Sequence, residues 1–321
     1  MAFRSGFVSI IGRPNAGKST LLNALVGEKL AIVTRRPQTT RNRIQGIVNV
    51  EKQGNRPAGQ IILVDTPGVH KPVNSLNRRM MKEVYDALEG CDLLLVIVDA
   101  GEKFGAGDQF VLDLAQRTKR PCFLLLNKID ALHKDRLLPL ISEYQGLHDF
   151  AEVIPISALK KDGLDTLLEA IVKVLPEGPR YFPKDQITDQ PERFLAAELI
   201  REQVLQFTSQ EVPHATTVLI EKYEEGGKLT RIAAAIYCER EGQKAILIGK
   251  QGASLKKIGT HARGQIERLL GTKVFLELFV KVHAGWRDSR QFVEETDWRR
   301  QLQRISHAQR ADEDDSGEKD Y

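Results

Sequence analysis

The sequence predicts two domains. The first is α/β, with a mostly parallel sheet, one antiparallel edge strand and helices on both faces; the second is a smaller α+β domain. Three observations carry this reading. Short apolar runs alternate with helix-like patterns up to about residue 175, as repeated βαβ units require. Pro176, Gly178, Pro179 and Pro183 then interrupt any regular element. Beyond them the order becomes helix, two adjacent strands, helix, helix, strand. The boundaries fall at 1–178 for the first domain, 179–190 for a linker, 191–305 for the second domain and 306–321 for an acidic tail expected to be disordered.

Composition bounds the class. The chain has 321 residues, 41% hydrophobic and 28% charged, which suits about two globular domains and excludes a disordered chain. Cys91, Cys122 and Cys238 sit apart in apolar runs and read as core residues of a reducing compartment, with no zinc-type cluster among them. The longest apolar run, Leu93 to Val98, is too short to cross a bilayer, and the N-terminus lacks the apolar region of a signal peptide. Net charge is +4, but residues 311–321 contribute −5 and leave +9 on the rest. A body this basic favours a polyanionic partner. The tail solvates the chain or competes for its basic surface.

In the first domain Phe7 to Ile11 reads as a strand running into a helix over Thr20 to Leu25. The basic stretch Thr34 to Arg43 has no periodicity and is a loop. Ile44–Val50 and Gln60–Val64, joined across Gly54, Asn55, Pro57 and Gly59, form a hairpin and supply the antiparallel edge. A helix from Ser75 to Leu88, capped by Asn74, leads to strand, helix and strand at Asp92–Asp99, Asp108–Gln116 and Pro121–Leu126. A last strand opens at Glu152–Pro155, before a helix from Leu164 to Leu175.

Between the first strand and helix stands Gly12-Arg13-Pro14-Asn15-Ala16-Gly17-Lys18-Ser19, followed by Thr20. In that context G-x-x-x-x-G-K-S wraps backbone N–H groups around a phosphate chain at a helix N-terminus. Lys18 reaches the β- and γ-phosphates and Ser19 offers a hydroxyl to magnesium, so a nucleoside triphosphate binds here. The hairpin's second strand ends in Asp65-Thr66-Pro67-Gly68, a D-x-x-G in which Asp65 serves the magnesium and the Gly68 N–H the γ-phosphate. Asn127-Lys128-Ile129-Asp130 lies at a strand's C-terminal end, where open α/β sheets bind ligands. Asp130 can accept two N–H groups of guanine, a pair adenine lacks. Asn127 holds the base edge and neighbouring loop, and the Lys128 stem lies on the base. Ser157-Ala158-Leu159 completes the set, the Ala158 N–H donating to guanine O6.

These four elements, over residues 6 to about 175, resemble the small Ras-like GTPases of the translation-factor-related class. The resemblance implies GTP and GDP as substrate and product, Mg²⁺ as cofactor, and Lys18, Thr40 and Gly68 at the reaction centre. Thr40 would bind the metal beside Ser19 and Asp65, with Thr39 as the neighbouring candidate. One departure stands out: the family's water-orienting glutamine after D-x-x-G is here Val69, next to His70. Gln38 and His70 are weak substitutes, no arginine finger can be assigned, and slow intrinsic hydrolysis is expected. Asn15 either ligates potassium, as in some related GTPases, or only shapes the loop.

The second domain reads as helix Pro191–Phe207, strands Thr216–Tyr223 and Leu229–Cys238 turned by Glu224 to Gly227, a helix leading into Gly249-Lys250-Gln251-Gly252, a helix to Leu270 and strand Lys273–Val282. Order and sequence resemble a type II KH domain, whose G-x-x-G backbone clamps a nucleic-acid phosphate chain. The resemblance assigns RNA contact to Ile248, Gly249, Lys250, Gln251, Gly252, Lys256, Lys257 and Arg263. Seven basic residues against the single acid Glu267 between Lys244 and Lys273 fit that partner. Ile246, Ile248, Leu255 and Ile258 are expected mostly in the core, with a few of them lining the groove where unstacked bases rest.

The pairing resembles the bacterial GTPases of small-subunit assembly, through residues 4 to about 300. It implies a monomeric cytoplasmic protein that binds the 3′ end of small-subunit ribosomal RNA and the 30S subunit, with a peripheral fraction at the inner face of the plasma membrane. Two rivals remain: a switch whose KH-like module grips a protein or membrane surface, and a nucleotide sensor without meaningful turnover.

Overall fold

The computed structural model describes residues 2–303 apart from residues 35, 37, 38, 55, 70 and 210. Gln38, His70 and the acidic tail at 306–321 therefore lie outside the described residues. The chain divides into two compact units. One comprises Met1–Pro72 and Met80–Pro191; the other comprises Val73–Arg79 and the chain from Glu192 onward.

Strand β1 (Arg4–Ile11) buries Val8, Ile10 and Ile11 completely. A strand apolar on both faces needs cover on both sides, which parallel neighbours with crossover helices provide. β3 (Gly59–Asp65) and β4 (Leu93–Asp99) flank it in parallel. β5 (Cys122–Asn127) and β6 (Glu152–Ile156) extend beyond β4, and β2 (Ile44–Val50) closes the opposite edge antiparallel to β3, giving the order β2-β3-β1-β4-β5-β6. The expected antiparallel edge is present.

Helices α2 (Ser75–Glu89), α3 (Ala106–Arg117) and α4 (Leu137–Gln145) share one core. There Met81, Val84, Leu112 and Tyr144 pack with Leu94, Val96, Leu124 and Leu126. Strand side chains alternate, so the buried Leu93, Leu95 and Ile97 face the other way, the side of α1 (Lys18–Val26) and α5 (Leu164–Val174). Asn74 caps α2 as expected, its Oδ1 accepting the Asn77 N–H at 2.8 Å. Helix α4 has no counterpart in the sequence reading. Pro139 obscures it, yet stands in the first turn, where a missing N–H costs nothing.

Parallel pairing brings the loops after β1, β3, β4, β5 and β6 to one edge, with Ile10 beside Asp65, Asp99 beside Asn127, and Asn127 beside Ile156. Strand order reverses at β1, the place where open α/β sheets bind ligands.

The expected linker is no free tether. Edge strand β2 has backbone groups that need partners, and the Ile47 N–H donates to Ile187 O at 2.8 Å while Thr188 Oγ1 donates to Gln45 O at 2.6 Å. The fully buried Gln60 accepts the Tyr181 and Phe182 N–H groups, both at 2.9 Å, and donates to Phe182 O at 2.9 Å. Residues 179–191 thus belong to the first unit.

The second unit orders α6 (Glu192–Phe207), β7 (Thr217–Gly226), β8 (Leu229–Cys238), α7 (Glu241–Ile248), α8 (Ala253–Leu270) and β9 (Lys273–Val282), the type II KH sequence of elements. β8 is central, antiparallel to β7 and parallel to β9. Leu199, Ile200 and Val204 of α6 and Ile258, Ala262 and Ile266 of α8 cover one sheet face. Three details correct the sequence reading. Pro191 stands just ahead of α6 rather than within it, and Glu224 to Gly226 are strand, leaving Gly227 (φ 63°) and Lys228 as the turn. In α7 Leu247 is the buried residue, while Ile246 is 50% exposed and Ile248 half-buried, because one short helix can turn only one stripe inward. A short helix, α9 (Arg290–Glu295), capped by Ser289, follows β9. All three cysteines are buried and free, and no helix among the described residues is long and apolar enough to cross a membrane.

Replacing Gln60 by leucine strands three backbone groups at once. The expected loss is about 1–3 kcal/mol, read as a lower urea midpoint; an unchanged midpoint would show that the 179–191 segment adds nothing to stability.

Candidate active site and nucleic-acid interface

The loop after β1 is shaped by what surrounds it. A Cβ on Gly12 would collide with the Ile97 carbonyl, and one on Gly17 (φ 108°) with the Asn127 amide. Asn15 holds a left-handed φ of 65°, a conformation asparagine tolerates better than most residues. Lys18 opens α1 and is 5% exposed, its Nζ donating to Gly12 O at 3.0 Å and Arg13 O at 2.9 Å. Burial lowers its pKa to about 8, partly offset by the nearby Asp65 carboxylate. The Arg13 guanidinium is paired with Asp108, 2.9 Å away, which also accepts the Gly105 N–H at the start of α3.

At the end of β3, Asp65 is fully buried. Its Oδ2 accepts Ser19 Oγ at 2.6 Å and Thr40 Oγ1 at 3.2 Å, and the two hydroxyls lie 2.8 Å apart. Desolvation raises the Asp65 pKa to about 6, opposed by Lys18 and by those hydroxyls. Its other oxygen, Oδ1, is buried without a hydrogen-bond partner. Two hydroxyls and a carboxylate with a spare oxygen are a hard-oxygen donor set that fits Mg²⁺. Of the two threonines Thr40 is the one that meets Ser19 and Asp65; Thr39 Oγ1 donates to Arg36 O at 2.7 Å and meets Thr34 Oγ1 at 3.0 Å.

Thr66 ties the D-T-P-G turn to β1 by donating to Ile10 O at 2.7 Å. A Cβ on Gly68 would press on Pro14, so the glycine keeps this turn against the phosphate loop. Val69 is 2% exposed and packs in the core with Ile11, Met81 and Val84. It cannot orient a water.

The loops after β1, β5 and β6 are locked together. Asn127 Nδ2 donates to Ala16 O at 2.8 Å, and its Oδ1 accepts the Ala158 N–H at 3.0 Å. The Ala158 N–H assigned from sequence to guanine O6 is thus engaged by Asn127, because a buried amide takes the nearest donor. Ser157 Oγ donates to Asp130 Oδ1 at 2.6 Å and orients that carboxylate. Lys128 sits in a left-handed conformation (φ 68°) with its Nζ 2.5 Å from Asp99 Oδ2. Asp99 was missed in the sequence; its signal is an aspartate closing β4 directly beside Asn127. Val33, 40% exposed, was missed too, having no motif around it. Asn127, Lys128, Asp130, Asp99 and Val33 line a cleft of about 760 Å³ that also takes in Pro14, Thr20, Gly68 and the 72%-exposed Leu159.

In the second unit Gly249 (φ 71°) has no room for a Cβ beside Ser254, and Gln251 (φ 52°) and Gly252 (φ 78°) are also left-handed, so one tight turn presents Lys250 and Gln251 outward, both exposed. Beside it runs a groove of about 370 Å³ with Leu255, Leu276 and Leu278 as apolar lining and Lys256 and Arg263 as cations. The β9 leucines were not read from sequence, being indistinguishable there from core positions. Lys257 does not line this groove: its Nζ sits 4.3 Å from the Phe207 ring centroid. Ile248 lies at the end of α7, outside the lining as well.

The fold and these sites define a Ras-like GTPase domain joined to a type II KH domain. The family described as 50S ribosome-binding GTPase matches residues 7–128, and the KH domain family matches residues 211–287. GTPase Era of Geobacter metallireducens is 50% identical over 295 residues, covering 91% of this chain and 97% of that one. The crystal structure of an Aquifex aeolicus Era variant bound to GDP·AlF4⁻ aligns with a TM-score of 0.86, 40% identity and coverage of 91% and 98%. A structure of Era with MgGDPNP and nucleotides 1506–1542 of 16S ribosomal RNA aligns at 0.85, with the same identity and coverage. The chain belongs to the Era family of GTPases. It binds GTP and GDP with Mg²⁺ and hydrolyses GTP.

Asp130→Asn should lose GTP and accept xanthosine triphosphate, since the amide donates where guanine also donates. Competition binding measures it, and a variant that still prefers GTP would remove Asp130 from base recognition.

Proposed function

We propose that the chain is a GTP-driven switch that binds the 3′ end of small-subunit ribosomal RNA through its KH domain and assists 30S subunit assembly. The observation that carries the switch is Thr40: a residue of the 34–43 loop shares one carboxylate with Ser19 of the phosphate loop. Whatever binds Ser19 and Asp65 therefore governs the order of that loop.

In this reading Lys18 binds the β- and γ-phosphates, the backbone of Gly12 to Thr20 cradles the chain, and the Gly68 N–H meets the γ-phosphate. Ser19, Thr40 and Asp65 hold Mg²⁺, which neutralises charge on the β- and γ-oxygens. Asp130, positioned by Ser157, reads guanine, while Asn127, Ala158 and Leu159 build the wall of its pocket. With Val69 in the core, hydrolysis is slow and a cation or partner completes it. Asn15 is the residue we assign to potassium. Turnover should therefore be faster in potassium than in sodium chloride at equal ionic strength, and Asn15→Ala should erase the difference; equal rates in the parent protein would leave Asn15 as loop geometry.

Gly249 to Gly252 clamp the RNA backbone, Ile248 supports the turn, and Lys256 and Arg263 line the path of the bases. Lys257, held over Phe207, contributes only long-range charge. Binding should weaken with salt by a slope of about −0.7 per phosphate neutralised. Lys250→Asp with Gln251→Asp places negative charge on the clamp and should abolish binding while leaving GTP turnover intact. Full RNA affinity in that double variant would favour a KH-like module that grips a protein or membrane instead. We place the protein in the cytoplasm as a monomer, with a fraction on the inner face of the plasma membrane. Sedimentation equilibrium and flotation with anionic vesicles test those two points, and a dimer or an absence of flotation would overturn them.

A further inference from the structure

Helices α6 and α8 cover one face of the KH sheet; on the other, Tyr237 packs on Phe292 of α9 while two rings of β9 stay exposed. Strand β9 is shared between the two faces by simple alternation. Leu276 and Leu278 point to the groove side, while Phe275 and Phe279 point the other way and are 46% and 47% exposed. A phenyl ring half in water on a regular strand has failed to find cover within its own unit. Register fills in the surroundings. Phe275 stands beside Arg231, whose guanidinium lies 5.5 Å from the ring centroid, and Phe279 stands beside Ala235. Ala233, next to Glu277, lies between them. Ala235 is fully buried, Ala233 is half-buried and Glu277 is exposed between the rings, so the two phenyl rings make a shallow shelf with a cation at one end and a carboxylate at its middle.

We infer that the exposed β9 side of this face is a second RNA site, a stacking shelf for bases of a single strand that runs on from the groove around the β9 edge. The inference rests on the RNA-binding reading above. Three features favour RNA over another occupant. The shelf is continuous with the groove through β9, which among the described residues is an outer strand paired to β8 alone. Exposed phenyl rings on a sheet, with arginine on a ring face, are the stacking chemistry that single-stranded RNA uses. Spacing agrees as well: four residues of strand span about 13 Å, room for two splayed nucleotides rather than a single base.

The test compares a short oligoribonucleotide that fills the groove with versions extended by about four nucleotides at the 5′ or 3′ end, using the full chain with a GTP analogue. In the parent protein one extension should tighten binding on the order of tenfold, as stacking on aromatic side chains does. Phe275→Ala with Phe279→Ala should erase that gain without altering affinity for the short oligonucleotide or GTP turnover. Phe279→Trp should keep it. Both rings are exposed, and circular dichroism establishes that each variant is folded. A photo-crosslinkable uridine in the extension should label the Lys273–Val282 peptide. No gain from either extension, or a gain that survives the double substitution, would overturn the shelf and leave the face to a protein partner or a second copy of the chain. Failure of the short oligonucleotide to bind at all would instead overturn the RNA reading of the groove.

Discussion

A carboxylate with no access to water, Asp65, is the constraint on which the nucleotide site depends. Burial makes its charge costly, and the structure offsets that cost with Lys18 and the hydroxyls of Ser19 and Thr40. The four groups come from three segments: Lys18 and Ser19 from the start of α1, Thr40 from the loop ahead of β2, Asp65 from the end of β3. Those segments meet because β1 and β3 are parallel neighbours whose ends are in register. Compensation remains incomplete, since Lys18 is held below and Asp65 above the ordinary range. A divalent cation and a phosphate chain bring the charges the two groups lack.

The same sheet takes control of the chain's departure from the first unit. Gln60 sits in β3, the strand that carries Asp65 at its end, and three of its hydrogen bonds hold residues 181 and 182. β2, which follows the Thr40 loop, accepts the next stretch of that segment through Ile47 and Gln45. The strand that ends in Asp65 and the strand that follows the Thr40 loop therefore also hold the segment that leaves the first unit.

Most of the fold was legible because its signals are local. Apolar runs bounded by glycine and proline gave the strands, and the four nucleotide motifs fell where parallel strands end. Partner choice was less legible. Nothing in a one-dimensional pattern says that the Ala158 N–H will meet Asn127, that Asp99 will meet Lys128, or that Lys257 will turn to Phe207. Those outcomes depend on which groups packing leaves within reach. Helix α4 was hidden by Pro139, and the 179–191 segment looked like a linker because its order comes from hydrogen bonds to strands more than a hundred residues away in sequence.

Asn127 has a consequence for how the ligand is held. With one amide it fastens the phosphate loop at Ala16 to the base loop at Ala158. The two halves of the pocket are thus one mechanical body. Ordering one half for phosphate orders the other for guanine, so their entropy cost is met once rather than twice. Guanosine alone or a bare triphosphate alone each bear that whole cost with half the contacts. The affinity of the intact nucleotide therefore exceeds the sum of its fragments' binding free energies, and the pocket responds to the whole molecule as a single event.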